Sequence, residues 1–195
     1  MEQNVAKRVP YGIQDFVQVI EQNCYYVDKT AYIPKLEDCP NNLFCIRPRR
    51  FGKSVFLSML HAYYDCRTKD KFQEWFGDLW IGKHPTPLQG RYQVMHLDFS
   101  QVGGSIENLE EKFNFYLGVQ LNGFIRDYLD FYSEKVQKQV EDAKDAGGKL
   151  AIIQSEARSK GYPLYLIIDE YDNFTNTVLN EQGEDVYWAI THAEG

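Results

Sequence analysis

The chain has 195 residues, 44% of them apolar, and its 21 basic and 28 acidic side chains give a net charge of −7. That composition builds the core of one ordinary domain, or part of a larger one, and the acidic balance excludes a surface broadly made for nucleic acid. No apolar run reaches the ~20 residues of a membrane-spanning helix, and residues 1–10 lack the apolar stretch of a signal peptide, so an intracellular, cytoplasmic protein is expected.

Phe16, Val19 and Ile20 recur at helical spacing near the start of the chain. Cys24 to Val27 reads as a short extended segment. Asp28 or Thr30 then offers an N-cap for a helix over Ala31 to Leu36. Tyr25, Tyr26 and Asp28 lie where chain entering a nucleotide site often contacts base or ribose, and core packing and capping are the competing reading. Pro40, Asn41 and Asn42 mark a loop.

Leu43 to Ile46 is uniformly apolar, as a buried parallel strand is. Arg47-Pro48-Arg49-Arg50-Phe51-Gly52-Lys53-Ser54 follows, and then an apolar helix from Ser54 to Tyr64. Strand, basic loop and helix in that order make a P-loop. Loop N–H groups and the positive helix start would face phosphate, with Lys53 on the β- and γ-phosphates and the Ser54 hydroxyl on Mg²⁺. The expected cradle is Pro48, Arg49, Arg50, Phe51, Gly52, Lys53, Ser54 and Val55. One position departs from the pattern: where Gly is wanted six residues before the lysine, this chain has Arg47. Four cationic residues within seven positions of an acidic chain suit a small polyanion.

A helix is expected around Phe72, Trp75 and Phe76, then a turn-rich stretch to Gly90. Tyr92 to Phe99 reads as a second strand, with Asp98 near its C-terminal end, either at a ligand edge or as a cap. A long amphipathic helix starts near Ser105 and runs through Leu109, Leu117, Leu121, Phe124 and Tyr128. It fades into a charged, solvated stretch from Glu134 to Asp145. Gly147-Gly148 breaks it, and a shorter helix carries Leu150, Ile153 and Ala157. Leu164 to Ile168 is the third strand, delivering Asp169-Glu170-Tyr171-Asp172 at its end. Asp169 would hold Mg²⁺ together with Ser54, and Glu170 would orient and deprotonate an attacking water. An acidic turn capping the next helix is the alternative. Val186, Tyr187 and Ile190 continue a helical pattern near the end. The four cysteines form no C-x-x-C pair, so reduced thiols are expected, with Cys45 in a strand and Cys66 at a helix end.

Tyr11-Gly12-Ile13 with Asp15-Phe16, Tyr25-Tyr26-Val27-Asp28-Lys29-Thr30, the Arg47 to Ser54 loop, Leu97-Asp98-Phe99-Ser100 and Ile167 to Asp172 together resemble the predicted AAA-ATPase family of bacteria. There the Arg-Pro-Arg-Arg-Phe-Gly-Lys-Ser form is the usual Walker A motif. The resemblance implies an α/β P-loop NTPase, a three-layer sandwich with a mainly parallel sheet, that binds ATP and Mg²⁺ and hydrolyses ATP with Lys53 and Glu170 as catalytic groups. It also implies a polar sensor strand, inserted between the P-loop strand and the Walker B (Asp169-Glu170) strand and following the latter in sequence. Residues 171–195 read as loop and helix, so residues 1–195 are expected to form the N-terminal portion of such a domain, cut after the Walker B strand. An open sheet edge would then invite self-association. Relatives commonly continue into a PD-(D/E)XK nuclease-like domain, so nucleic acid would be a partner only through such a domain, and no membrane is implied. A nucleotide-dependent switch with little turnover, or a regulatory ATPase part of a larger nuclease-containing protein, is the alternative function.

Overall fold

A computed structural model describes residues 6–39, 42–46, 51–100 and 108–170. Two compact units divide the chain, with their boundary at Val94 and Met95.

The first unit is helical. It contains α1 (Phe16–Glu21), a 3₁₀ turn (Thr30–Tyr32) running into α2 (Ile33–Glu37), α3 (Lys53–Tyr64), a second 3₁₀ turn (Lys69–Lys71) leading to α4 (Phe72–Phe76), and α5 (Trp80–Lys83). Asp15 caps α1 by accepting the Gln18 N–H at 2.8 Å. Its other oxygen accepts the Ser58 hydroxyl at 2.7 Å, and Ser58 in turn accepts the Phe16 N–H at 3.0 Å. One serine of α3 thus fixes the entry of α1. Phe16 stacks on Phe76 with centroids 4.9 Å apart, and Tyr63 meets Phe76 edge-on at 5.6 Å. All three rings are fully buried, each contributing about 2–3 kcal/mol of transfer free energy. Cys24 and Cys66 are buried small residues here, Cys45 is half-buried and Cys39 exposed, all as free thiols.

The second unit holds most of β1 (Gln93–Asp98), then α6 (Leu109–Asp127), a 3₁₀ turn (Leu129–Phe131), α7 (Glu134–Asp142), α8 (Ala146–Ser159) and β2 (Leu164–Asp169). Leu117, Leu121, Phe124, Ile125 and Tyr128 form the buried stripe of α6, and α8 contributes Ile153 and Ala157. The strands pair side by side as a small parallel sheet. Along β2, Ile167 and Asp169 are buried while Leu166 and Ile168 are 46% and 43% exposed.

Three expectations are corrected. Residues 42–46 form no strand, and Leu43, Phe44 and Ile46 are 48%, 79% and 85% exposed. A strand is stable only when a neighbour takes its backbone groups. Among the described residues β1 and β2 are the only sheet, and the neighbour implied by the resemblance would come after Glu170, outside them. The described residues show a mixed α/β fold with a small parallel two-strand sheet. Second, Glu134–Asp142 is not a fading tail but a separate helix, with Val140 buried. Third, Gly147 and Gly148 do not break a helix; they occupy the first turn of α8, where Asp145 accepts the Gly148 N–H at 2.7 Å. Glycine costs little at a capped start, because first-turn amides have no helical partner to lose.

Candidate functional site

The described end of the basic loop is in the first unit. Pro48, Arg49 and Arg50 lie outside the described residues, as does Arg47. Phe51 is 63% exposed. Gly52 has φ 76° and ψ 29° and caps α3 in the left-handed region, which glycine enters without a Cβ penalty. The first helical bond runs from the Phe56 N–H to the Gly52 carbonyl at 3.1 Å. The N–H groups of Lys53, Ser54 and Val55 therefore have no acceptor within the helix. Gly52 has no side chain to cap this end, and no acidic residue stands in its first turn.

Lys53, Ser54 and Val55 are half-buried first-turn residues. Ser54 and Ser58 lie one turn apart, and Ser58 is the one engaged with Asp15. Of the residues read as base or ribose contacts, Asp28 is taken up by the fold. Its Oδ1 accepts the Thr30 N–H at 2.8 Å and the Thr30 hydroxyl at 2.7 Å, and its Oδ2 accepts the Trp80 N–H at 2.8 Å. Tyr26 packs edge-on against Phe16 at 5.2 Å; burial, and then the Asp28 charge, push its hydroxyl above the ordinary tyrosine range. Tyr25 is 62% exposed.

The second unit carries the carboxylates. Asp169 ends β2 at 8% exposure, and its Oδ1 accepts the Glu170 N–H at 2.9 Å. Glu170 has φ 53°, a left-handed backbone unusual for glutamate. Such strain at a strand end persists only where the surroundings impose it, and it concentrates at functional sites. Tyr171 and Asp172 lie outside the described residues. Asp98 caps locally, accepting the Ser100 N–H at 2.8 Å. Residues 51–55 are thus gathered in one unit, and Asp169 with Glu170 in the other.

The family model described as Predicted AAA-ATPase matches residues 10–193. This chain belongs to that family. A relative named as an uncharacterized protein in the vnfD 5'region of Azotobacter chroococcum mcd 1 is 27% identical over 172 residues, which is 85% of this chain and 29% of that protein. The chain therefore spans less than a third of that relative's length. No solved structure matches. No helix among the described residues is long and apolar enough to cross a membrane.

Taken separately, the residues of each unit carry donor types that ATP and Mg²⁺ would take. A helix start behind a side-chain-free Gly52 is the kind of backbone that binds phosphate oxygen. A serine hydroxyl and a carboxylate are the hard oxygen donors that Mg²⁺ prefers. Among the described residues no cluster of three or more His, Cys, Asp or Glu side chains gathers around a metal position. Sequence reasoning missed Gln120, whose amide closes the strand edge at Asp98; the two are 22 positions apart, so spacing carried no signal.

Proposed function

We propose that this chain binds ATP with Mg²⁺ on residues 48–55 and hydrolyses the terminal phosphate. The observation that carries the reading is the start of α3: left-handed Gly52, three amides without helical acceptors and no first-turn acid. Membership of the Predicted AAA-ATPase family supports it. In this reading Arg49, Arg50 and the loop amides bind phosphate, and Lys53 neutralises charge on the β- and γ-phosphates. Ser54 and Asp169 would hold Mg²⁺, which supplies charge neutralisation when bound. Glu170 accepts a proton from water as the water oxygen bonds to the γ-phosphorus and the bond to the β–γ bridging oxygen breaks. Glu170 adjoins Asp169 in sequence, so in this reading the metal and base functions fall to neighbouring residues, and the left-handed backbone at Glu170 supports a functional position there.

The test uses the full chain. Lys53→Ala is expected to abolish ATP binding measured by calorimetry, and unchanged affinity would remove the P-loop assignment. Glu170→Gln is expected to keep binding and lose phosphate release; equal hydrolysis rates in the two proteins would sink the role of Glu170. A second reading, a switch that binds ATP with negligible turnover, draws on residues 42–46 forming no strand ahead of the loop. Tight binding with no phosphate release from the unaltered chain would select it.

A further inference from the structure

We propose that Gln120 is a positioning residue for Asp169 and Glu170, a role that rests on the hydrolysis reading above. Its side-chain amide accepts the Asp98 N–H at 2.7 Å and donates from Nε2 to the Asp98 carbonyl at 3.1 Å. Those two backbone partners fix which end of the amide is oxygen. The Asp98 carbonyl shares a planar peptide with the Phe99 N–H, so the two groups point in opposite directions. That N–H donates to the Asp169 carbonyl at 3.1 Å. The Asp169 carbonyl in turn shares a peptide with the Glu170 N–H, which donates to Asp169 Oδ1 at 2.9 Å.

A donor on α6 is thus joined, through two rigid peptide planes each held on both sides, to the residues read as metal ligand and general base. Hydrogen bonds in such a series strengthen one another, and loss of the first loosens those that follow. A second contact comes from the same helix. Phe113 precedes Gln120 by seven positions, two helical turns, and so shares its face. Its ring lies against that of Phe99, centroids 5.4 Å apart. Side chains of α6 therefore hold both residues of the first peptide. The second peptide needs an outside hold, because the left-handed backbone at Glu170, φ 53°, persists only where its surroundings impose it. Placement of a general base is exacting: a shift of about 1 Å costs on the order of a hundredfold in rate.

The experiment measures ATP hydrolysis by the full wild-type chain and by Gln120→Met, Gln120→Glu and Glu170→Gln, together with hydrogen exchange at single amides. Gln120→Met removes both bonds to Asp98, whereas Gln120→Glu keeps the acceptor and removes the donor. Each is expected to lower kcat about tenfold and to leave KM for ATP within about twofold of wild type. Each is also expected to speed exchange of the Phe99 and Glu170 amides about tenfold relative to that of Ile153 on α8. Faster exchange at all three amides alike, with kcat unchanged, would make Gln120 a structural residue and refute the proposal. Full kcat in Gln120→Glu would overturn transmission through the Asp98 carbonyl. Unchanged kcat in both Gln120 variants, while Glu170→Gln releases no phosphate, would overturn the role of Gln120 and leave the hydrolysis reading standing. Equal phosphate release by wild type and Glu170→Gln would overturn the hydrolysis reading, and the positioning role with it, whatever the exchange rates.

Discussion

The side-chain amide of Gln120 pairs with both backbone groups of Asp98, accepting its N–H at 2.7 Å and donating to its carbonyl at 3.1 Å. In a parallel ladder the N–H and C=O of one residue point to the same side. The Phe99 N–H goes to Asp169 of β2, so the Asp98 pair faces the opposite edge. A helix side chain there occupies the place of a third strand. Gln120→Leu is expected to cost about 1 kcal/mol in urea unfolding and to add concentration-dependent self-association, since a bared edge recruits another chain. Unchanged stability together with an unchanged sedimentation profile would show that the amide is dispensable.

Asp65 joins the end of α3 to the segment before β1. It accepts from both the Nε and a terminal nitrogen of Arg67, at 3.0 and 2.8 Å, and sits 3.3 Å from His61. Burial pushes its carboxyl up, but hydrogen bonds from His61 and Arg67 outweigh that and hold it at about 2. The folded value lies below the unfolded one of about 3.9. The stabilisation is therefore complete above pH ~4 and lost as pH falls through about 2, amounting to roughly 2 kcal/mol. Asp65→Asn is expected to flatten this part of the stability profile. An unaltered slope of urea midpoint between pH 4 and pH 2 would contradict the assignment.

Two glycines separate close approach from idle space. A Cβ on Gly82 would lie 2.0 Å from the Phe76 carbonyl oxygen, and that oxygen belongs to the backbone of a fully buried residue. Gly82→Ala is expected to lose about 3 kcal/mol or more, because backbone has to move. Gly123, in the interior of α6, meets nothing within 4 Å. Gly123→Ala should gain about 0.5–1 kcal/mol from helix propensity. Thermal melts of the two variants should shift in opposite directions.

Lys149 is 9% exposed and donates to the carbonyls of Val140 and Glu141 and to Asn122 Oδ1. Its charge thereby closes the C-terminal end of α7, where carbonyls lack helical donors. Lys149→Met is expected to cost about 2–3 kcal/mol and to speed amide exchange across Glu134–Asp142 ahead of the rest of the unit. Uniform exchange rates would place the role of Lys149 elsewhere.

What the sequence made legible was local. Gly52-Lys53-Ser54 announced the start of α3, and the apolar run into Asp169-Glu170 announced β2, because cap chemistry and a strand with a carboxylate end are written in consecutive residues. Leu43–Ile46 was read by the same logic and is not a strand. Four apolar residues state a preference for burial but not the partner that satisfies it, and pairing is a non-local property. Gly147-Gly148 misled for the opposite reason: the Asp145 cap, two residues earlier, sets their meaning.

The Asp28 carboxylate that pins Thr30 also holds the first amide of α5, and the Trp80 ring there lies flat on His84, centroids 4.4 Å apart and 18° from parallel. Any displacement of residues 28–30 is thereby passed to an indole resting on an imidazole. The emission of that indole depends on the distance of its neighbour, so with Trp75 and Trp188 replaced by Phe the remaining tryptophan becomes an optical gauge of residues 28–30.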